Sequence, residues 1–238
     1  VKRRPAPRSP TSPGPAAPRA PRAPRAAPSP SAPPLGPVEA LAKVRRVLFH
    51  ATAYGAWESI AESGLRTAAQ ALESDGALRV REDDIVVPAP AGGLFTVRDQ
   101  RLMARSRIED HLAAITLPEW LALLNRRVFL FAQQKDLTTH LARFQHSVGQ
   151  DVIVFDTARL LRAARDRVEV TTGPSTLPEG FGHCPCRGPH TFVPLESYPG
   201  PPAEVVEVTV TDGIDSVEGL VTRVVRYHPR GAPEVLVG

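Results

Sequence analysis

One stretch carries most of the fold information in this chain: Val47-Leu48-Phe49-His50-Ala51-Thr52, followed by Ala56-Trp57-Glu58-Ser59-Ile60-Ala61-Glu62-Ser63-Gly64-Leu65. Its first segment is a short apolar run rich in β-forming residues, which predicts a buried strand that ends near the polar His50. Its second segment spaces apolar residues as a helix does and stops at Gly64, which predicts a short helix closed by a glycine. We expect the other elements to pack around this strand and helix.

The rest of the chain divides into a helix-rich part and a strand-rich part. The spacing of apolar residues predicts helices over residues 37–43, 55–63, 67–72, 117–124 and 133–144, and a further helix that carries Leu102, Met103 and Ile108. Runs of β-branched and aromatic residues predict strands over residues 44–51, 127–131, 151–155, 168–170, 204–211, 220–227 and 234–237. Residues 75–93 lack either pattern and are expected to be irregular. Since helices concentrate in the first two-thirds and strands in the last third, the expected class is α+β.

The first 37 residues form a basic tail. They hold 13 of the 26 prolines and seven Lys or Arg but no Asp or Glu, so they carry +7 in a chain whose net charge is +4. Proline-rich segments with little apolar surface stay disordered, with polyproline II character. We therefore expect a disordered tail over residues 1–37 and one folded domain over residues 38–238. That domain sums to −3, which argues against a strongly basic nucleic-acid-binding face.

The tail has two interpretations, and neither involves a membrane. It is either a solvated extension or a weak tether to nucleic acid or another acidic surface. No apolar region follows its positive charges, as one would in a secretory signal peptide. No run in the sequence approaches the roughly 18 apolar residues that a membrane-spanning helix needs. We therefore expect a cytoplasmic protein without membrane contact.

The two cysteines lie in the segment His183-Cys184-Pro185-Cys186-Arg187-Gly188-Pro189-His190. Four thiol and imidazole groups in eight residues are the ligand types that zinc prefers. However, the spacing of the cysteines lacks the usual two intervening residues, and two prolines stiffen the segment. The pattern favours a reduced surface loop over a metal site.

The sequence lacks the motifs of several large enzyme classes: a glycine-rich phosphate loop, a G-x-S-x-G elbow and an H-E-x-x-H helix. Instead, Leu48-Phe49-His50-Ala51-Thr52, with Ser59-Ile60 and Gly64-Leu65 after it, resembles the opening strand and helix of ADP-ribosyltransferase-like folds, notably the DarT type. Four further segments resemble an uncharacterised bacterial family, a domain of unknown function, over residues 45–227: Val97 to Met103, Leu124 to Phe129, Val152 to Thr157 and Thr191 to Leu195. The resemblance implies an ADP-ribosyltransferase-like split β-sheet core with N-terminal helices.

Such a fold implies NAD as the substrate. Cleavage of the bond between nicotinamide and ribose creates an oxocarbenium-like cation, much as in glycoside hydrolysis. The site then needs a hydrogen-bonding group for the ribose, an aromatic ring for the nicotinamide, a cation for the pyrophosphate and a carboxylate beside the developing positive charge. The resemblance leaves the ADP-ribose acceptor open between protein, nucleic acid and water.

The resemblance also implies which residues fill these roles. The binding residues are His50 for the ribose, Tyr54 or Phe131 for the nicotinamide, and Arg98 or Arg127 for the phosphates, with Thr52 as a further residue that binds NAD. The catalytic residues are His50 and Glu207, since Glu207-Val208-Thr209-Val210 resembles the glutamate-bearing late strand of DarT-like enzymes. Glu204 is the rival carboxylate. Alternation along the strand turns Glu207 away from the neighbouring valines, toward either a cleft or solvent.

Each of these residues also has a purely structural interpretation. A histidine at a strand end is often a structural residue, Arg98 and Asp99 form a typical helix-start pair, and a glutamate on a strand is often solvated. Three hypotheses for the function follow. The chain is an ADP-ribosyltransferase or NAD glycohydrolase, or a non-catalytic nucleotide-binding module on the same fold, or a passenger domain for a tail that contacts nucleic acid.

Overall fold

A large antiparallel β-sheet organises the part of the chain that the computed structural model describes. That part comprises residues 35–72, 79–88, 94–100, 108–173, 175 and 187–238, with backbone alone for 143–147. Its strands are β1 (Val47–Ala53), β2 (Ile85–Pro88), β3 (Leu94–Val97), β4 (Arg127–Phe131), β5 (Gln150–Asp156), β6 (Val168–Thr171), β7 (Val193–Pro194), β8 (Glu207–Thr211), β9 (Val221–Tyr227) and β10 (Glu234–Val237). Eight of them form one sheet in the order β10-β9-β5-β1-β4-β8-β6-β7, and β2 and β3 form a separate hairpin.

Six α-helices lie in the described part of the chain. They are α1 (Pro37–Val44), α2 (Trp57–Ser63), α3 (Ala68–Ala71), α4 (Leu117–Asn125), α5 (Gln134–Val148) and α6 (Thr157–Ala163). The expected mixture of helices and strands is confirmed, and the strand pairs of the large sheet are antiparallel. None of the described helices combines the length and the apolar character that crossing a bilayer requires.

The sequence prediction is wrong at three boundaries. Residues 85–88 were expected to be irregular but form β2, because the β-branched run Ile85-Val86-Val87 pairs with β3. The strand expected from Glu204 begins only at Glu207, since two prolines start a 3-10 turn over Pro202–Glu204. The opening strand begins at Val47 rather than at residue 44, which still belongs to α1. The helix expected through Leu102 and Met103 lies outside the described residues, and Ile108–His111 is a 3-10 turn.

The two faces of the sheet carry different helices. Alternate residues of the central strands, such as Leu48, Ile153 and Leu130, pack with Leu41 of α1, Ile60 of α2 and Leu160 of α6 in the main core. The opposite face carries α5, whose Leu137 and Leu141 cover Phe49 and Val152. It also carries α4, whose fully buried Trp120 stacks on Phe192. Trp120 is 0% exposed, whereas Trp57 is only partly buried against the main core.

The sheet is weakest between β1 and β4. β1 pairs with β5 along its whole length, from Val47↔Asp156 to Ala53↔Gln150. Toward β4 its register consists of a single pair, Phe49↔Phe131, which we call the junction. Two half-sheets therefore meet at the junction: β10-β9-β5-β1 on one side and β4-β8-β6-β7 on the other.

A second contact joins the two halves beyond the sheet. The amides of Leu65 and Ile214 each donate to the other residue's carbonyl over 2.8 Å. Gly64, which ends α2 with φ 76°, allows this contact, because a Cβ there would lie 2.1 Å from the Ile214 carbonyl oxygen. The segment after β1 is thereby bonded to the segment after β8.

Candidate functional site

His50 lies at the junction and reaches across it. Its Nδ1 is 2.9 Å from the carbonyl oxygen of Phe129 on β4. A carbonyl only accepts hydrogen bonds, so Nδ1 carries the proton and donates. In the neutral imidazole Nε2 is then an acceptor. In this tautomer Nε2 can accept a hydrogen bond from a ribose hydroxyl, which is the sequence-predicted role.

The surroundings of His50 keep its ring neutral. Removal from water lowers the pKa of His50, and the positive charge of Arg98 lowers it further, while the hydrogen bond to Phe129 opposes both. The backbone near Arg98 is anchored, because its carbonyl accepts from Nε of the buried Arg81 over 3.1 Å. His50 and Arg98, which were predicted to bind the ribose and the phosphates, are therefore close enough to interact.

Glu207 lies at the start of β8 and is buried, with 7% of its surface exposed. Its Oε2 accepts a hydrogen bond from the backbone N–H of Ser175 over 3.0 Å. The sequence left two environments open for this carboxylate, a cleft or solvent. Its burial excludes solvent. The rival Glu204 is exposed on its 3-10 turn.

Three other residues influence Glu207, and together they form what we call the Glu207 cluster: Glu207, Asp136, Ser175 and Arg187. Burial raises the pKa of Glu207 above its ordinary value, and the negative charge of Asp136 adds to this rise. Hydrogen bonding from Ser175 and the positive charge of the buried Arg187 act in the opposite direction. The carboxyl group is thus desolvated and held between one cation and one anion.

Phe131 lies between the strand that carries His50 and the strand that carries Glu207. It pairs with Phe49 on β1 and with Glu207 on β8. Neighbouring strands lie about 4.8 Å apart, so Phe49 and Glu207 are separated by about 10 Å. Strict alternation puts the side chains of His50 and Glu207 on opposite faces. The His50 ring, however, lies over the edge of β4, where it contacts Phe129.

Two of the predicted binding residues lie farther along β1 and beyond it. Thr52 is half-buried and pairs with Asp151 on β5. Tyr54 is 46% exposed in the turn after β1, where its hydroxyl lies 3.0 Å from Nδ1 of His228 and its ring lies under the Arg226 guanidinium. Tyr54 therefore faces the β9–β10 end of the sheet rather than Phe131.

Arg127 and Phe131 occupy opposite ends of β4. They are four positions apart in the sequence, which is about 13 Å along a strand. The Arg127 guanidinium lies 2.7 Å from a carboxylate oxygen of Glu169, bonds the carbonyl of Leu123 and stacks over the ring of Phe192 at 4.1 Å. Arg127 is thus engaged within the second half-sheet, whereas Phe131 lies beside Glu207 and contacts the ring of His140 at 5.2 Å.

The cysteine segment, residues 183–190, is only partly described. His183, Cys184 and Cys186 lie outside the described residues, and His190 is exposed. Among the residues that the structure does describe, no group of three or more His, Cys, Asp or Glu side chains is arranged to hold a metal ion.

A model of a family of unknown function, DUF7002, matches residues 46–221. The chain belongs to the DUF7002 family. The match runs from β1 to the first residue of β9, so the DUF7002 domain contains His50, Arg98, Glu207 and the rest of the Glu207 cluster. The expectation of a family without an assigned function is confirmed. No curated protein and no solved structure matched the chain significantly.

The sequence prediction missed three members of the Glu207 cluster. Asp136 is an ordinary first-turn acidic residue of α5, and Ser175 follows a proline outside every predicted helix and strand. Arg187 was seen only as part of the cysteine segment; its backbone bonds His111 and Ala113, which turns it into the interior. No periodicity marks these three residues, because contacts between distant segments bring them together.

Proposed function

We propose that this DUF7002 domain cleaves the bond between nicotinamide and ribose of NAD, as an ADP-ribosyltransferase or NAD glycohydrolase on a DarT-like split core. The observation that carries the proposal is the junction. A neutral histidine lies at a one-pair break between half-sheets, and a buried glutamate begins the strand next to β4. Along the chain, the strand that carries His50 comes first, then a helix, and later the strand that carries Glu207. This is the order that the resemblance to DarT-type folds implies.

In this proposal His50 binds the substrate. Nε2 accepts a hydrogen bond from a ribose hydroxyl, because the Phe129 carbonyl holds the proton on Nδ1. Arg98 supplies positive charge near His50 for a phosphate group. Phe131 offers the aromatic surface next to Glu207 for the nicotinamide ring.

Glu207 stabilises the cation in this proposal. The nicotinamide ring of NAD is itself positively charged, and a cation beside a buried carboxyl favours the ionised form. Binding of the positively charged ring therefore opposes the effect of burial, which raises the pKa of Glu207. As the glycosidic bond breaks, positive charge develops on the ribose, and a carboxylate in a water-poor site stabilises it more strongly than water does.

The test is incubation of the full chain with NAD, followed by chromatography for released nicotinamide and by calorimetry for binding. Glu207→Gln is expected to lower nicotinamide release by about 100-fold or more while NAD still binds. Glu204→Gln is the matched control and should leave the rate unchanged, since Glu204 is exposed three residues away. His50→Ala should abolish binding. Full activity in the Glu207→Gln, Glu204→Gln double variant would overturn the proposal.

One observation favours a second candidate, a nucleotide-binding module without turnover. Glu207 is buried and its pKa is raised, and a carboxyl that stays protonated in the complex stabilises no cation. Binding of NAD that His50→Ala abolishes, without nicotinamide release from the unmodified chain, would identify this function.

A further inference from the structure

Asp136 has an unsatisfied oxygen in the Glu207 cluster. The residue lies in the first turn of α5, and its Oδ2 is buried with no hydrogen-bond partner among the described residues. A buried carboxylate oxygen without a donor is costly, so such oxygens in native proteins are normally hydrogen-bonded. The position fits a donor group that arrives with a bound molecule.

The start of α5 is held against the start of β8. Nε2 of Gln133, the residue before α5, donates to the carbonyl of Val205 over 3.3 Å, and Phe131 pairs with Glu207. His140, one helical turn after Asp136, contacts the Phe131 ring. Asp136 is therefore close to Glu207, as its influence on the pKa of that carboxyl also indicates.

Ser175 supplies a second unsatisfied group beside the same carboxyl. Its surface is 0% exposed, its N–H bonds Glu207, and its Oγ has no partner among the described residues. A carboxylate oxygen only accepts hydrogen bonds, whereas a hydroxyl both donates and accepts. A molecule with an O–H group satisfies both, because it donates its proton to Asp136 and accepts from Ser175.

We propose that Asp136 is the general base for the ADP-ribose acceptor, and that the acceptor is an O–H group, either water or an alcohol held by the Ser175 hydroxyl. This inference rests on the proposed function. The acceptor oxygen forms a bond to the anomeric carbon of the ribose, and the bond from that carbon to the nicotinamide nitrogen breaks. Nicotinamide leaves with the electron pair as a neutral molecule, and the acceptor proton moves to the Asp136 carboxylate.

The experiment uses azide, a nucleophile that has no proton to lose. Nicotinamide release from NAD is measured for the full chain and for Asp136→Asn and Glu207→Gln, each with and without sodium azide. Asp136→Asn is expected to lower release by about 100-fold or more without azide, because general-base catalysis typically contributes that much. Azide should restore it toward the unmodified rate and yield ADP-ribosyl azide. Glu207→Gln should stay slow in both conditions.

Asp166→Asn is the matched control, since Asp166 is exposed on a 3-10 turn far along the chain, and it should behave like the unmodified protein. An Asp136→Asn variant that releases nicotinamide at the full rate, or that azide does not restore although NAD binds and the thermal unfolding temperature is unchanged, would overturn the inference alone. Absence of nicotinamide release from the unmodified chain would overturn the proposed function, and the inference with it.

Discussion

The two half-sheets on either side of the junction treat their buried carboxyl groups differently. In the first, β1 is paired along its whole length with β5, and the fully buried Asp151 binds the Arg226 guanidinium through two hydrogen bonds of 2.8 Å. In the second, the buried Glu207 accepts from the backbone N–H of Ser175, and buried oxygens of Asp136 and Ser175 near it lack partners among the described residues. The first half also buries the unpaired amide of Gln150, so the difference lies in the carboxyl groups: the first half neutralises its own with a guanidinium and acts as the scaffold that positions His50, whereas the second half does not.

The largest expected effect concerns the ion pair of the first half. Arg226 also binds both carboxylate oxygens of Glu58 at 3.0 Å, and Asp151 accepts from the N–H of Trp57. Asp151→Asn removes the fully buried negative charge and leaves the half-buried Arg226 guanidinium with Glu58 as its remaining partner in this ion pair, which should cost about 3 kcal/mol or more of unfolding free energy. Urea denaturation measures this loss.

The matched change in the second half is Glu169→Gln. Arg127 keeps its contacts with the Phe192 ring and the Leu123 carbonyl in that variant, so the loss should be about 1–2 kcal/mol. A loss as large as that of Asp151→Asn would contradict the assignment of the scaffold to the first half alone.

The second prediction concerns the contact between the halves beyond the sheet. Gly64→Ala introduces a Cβ only 2.1 Å from a carbonyl oxygen, at a φ that side chains rarely adopt. The expected loss is about 3 kcal/mol, from steric strain added to backbone strain. Gly55→Ala is the control, because φ there is 79° but no atom lies within 4 Å of the Cβ position, so about 1 kcal/mol is expected. Equal losses in the two variants would mean that the Leu65–Ile214 contact is dispensable.

The third prediction concerns how the buried Glu207 of the second half changes the pH dependence of stability. The folded pKa of Glu207 is raised above its ordinary value of 4.5, so the unfolded chain releases this proton first as the pH rises. Stability from this group is therefore lost above about pH 4.5, until the folded pKa is passed. Glu207→Gln lacks this loss. The melting temperature of the variant, relative to that of the unmodified protein, should therefore rise from about pH 4 to pH 7. A gain of the same size in Glu204→Gln would refute the assignment to Glu207.

The smallest effect, of opposite sign, is expected for His50. Its folded pKa is lowered below the ordinary 6.5, so the unfolded chain binds the proton first as the pH falls. Stability from His50 is fully present above about pH 6.5 and is lost below it. The advantage of the unmodified protein over His50→Gln should therefore shrink from about pH 7.5 to pH 5 in thermal melts. The same trend in His190→Gln, which replaces an exposed histidine, would contradict the assignment to His50.

Local chemistry made much of the secondary structure predictable. The strand over 127–131 was predicted to the residue. The Asp156 side chain caps α6, and Thr116 and Glu119 start α4 with a capping box. Each of these signals lies within a few neighbouring residues, where propensity and capping act.

The arrangement of the site was not predictable in the same way. Whether β1 meets β4 by one pair or by many depends on packing between segments about 80 residues apart, and no local pattern encodes it. The burial of Glu207 likewise depends on Ser175 and Arg187, which come from two other segments. Sequence reasoning proposed His50 and Glu207 but gave no sign of Ser175 and Arg187, which the structure brings close to Glu207.

The hydrogen bonds between Leu65 and Ile214 can form only late in the synthesis of the chain. β1 leaves the ribosome before any of its neighbours, since β4, β5 and the residue 214 contact are encoded roughly 80 to 150 positions later. Closure of such distant contacts is slow, because the entropy of the intervening loop is lost before the contacts form. The apolar segment that carries His50 therefore stays exposed while about 80 or more further residues are synthesised, and we expect chaperones to bind it in the nascent chain.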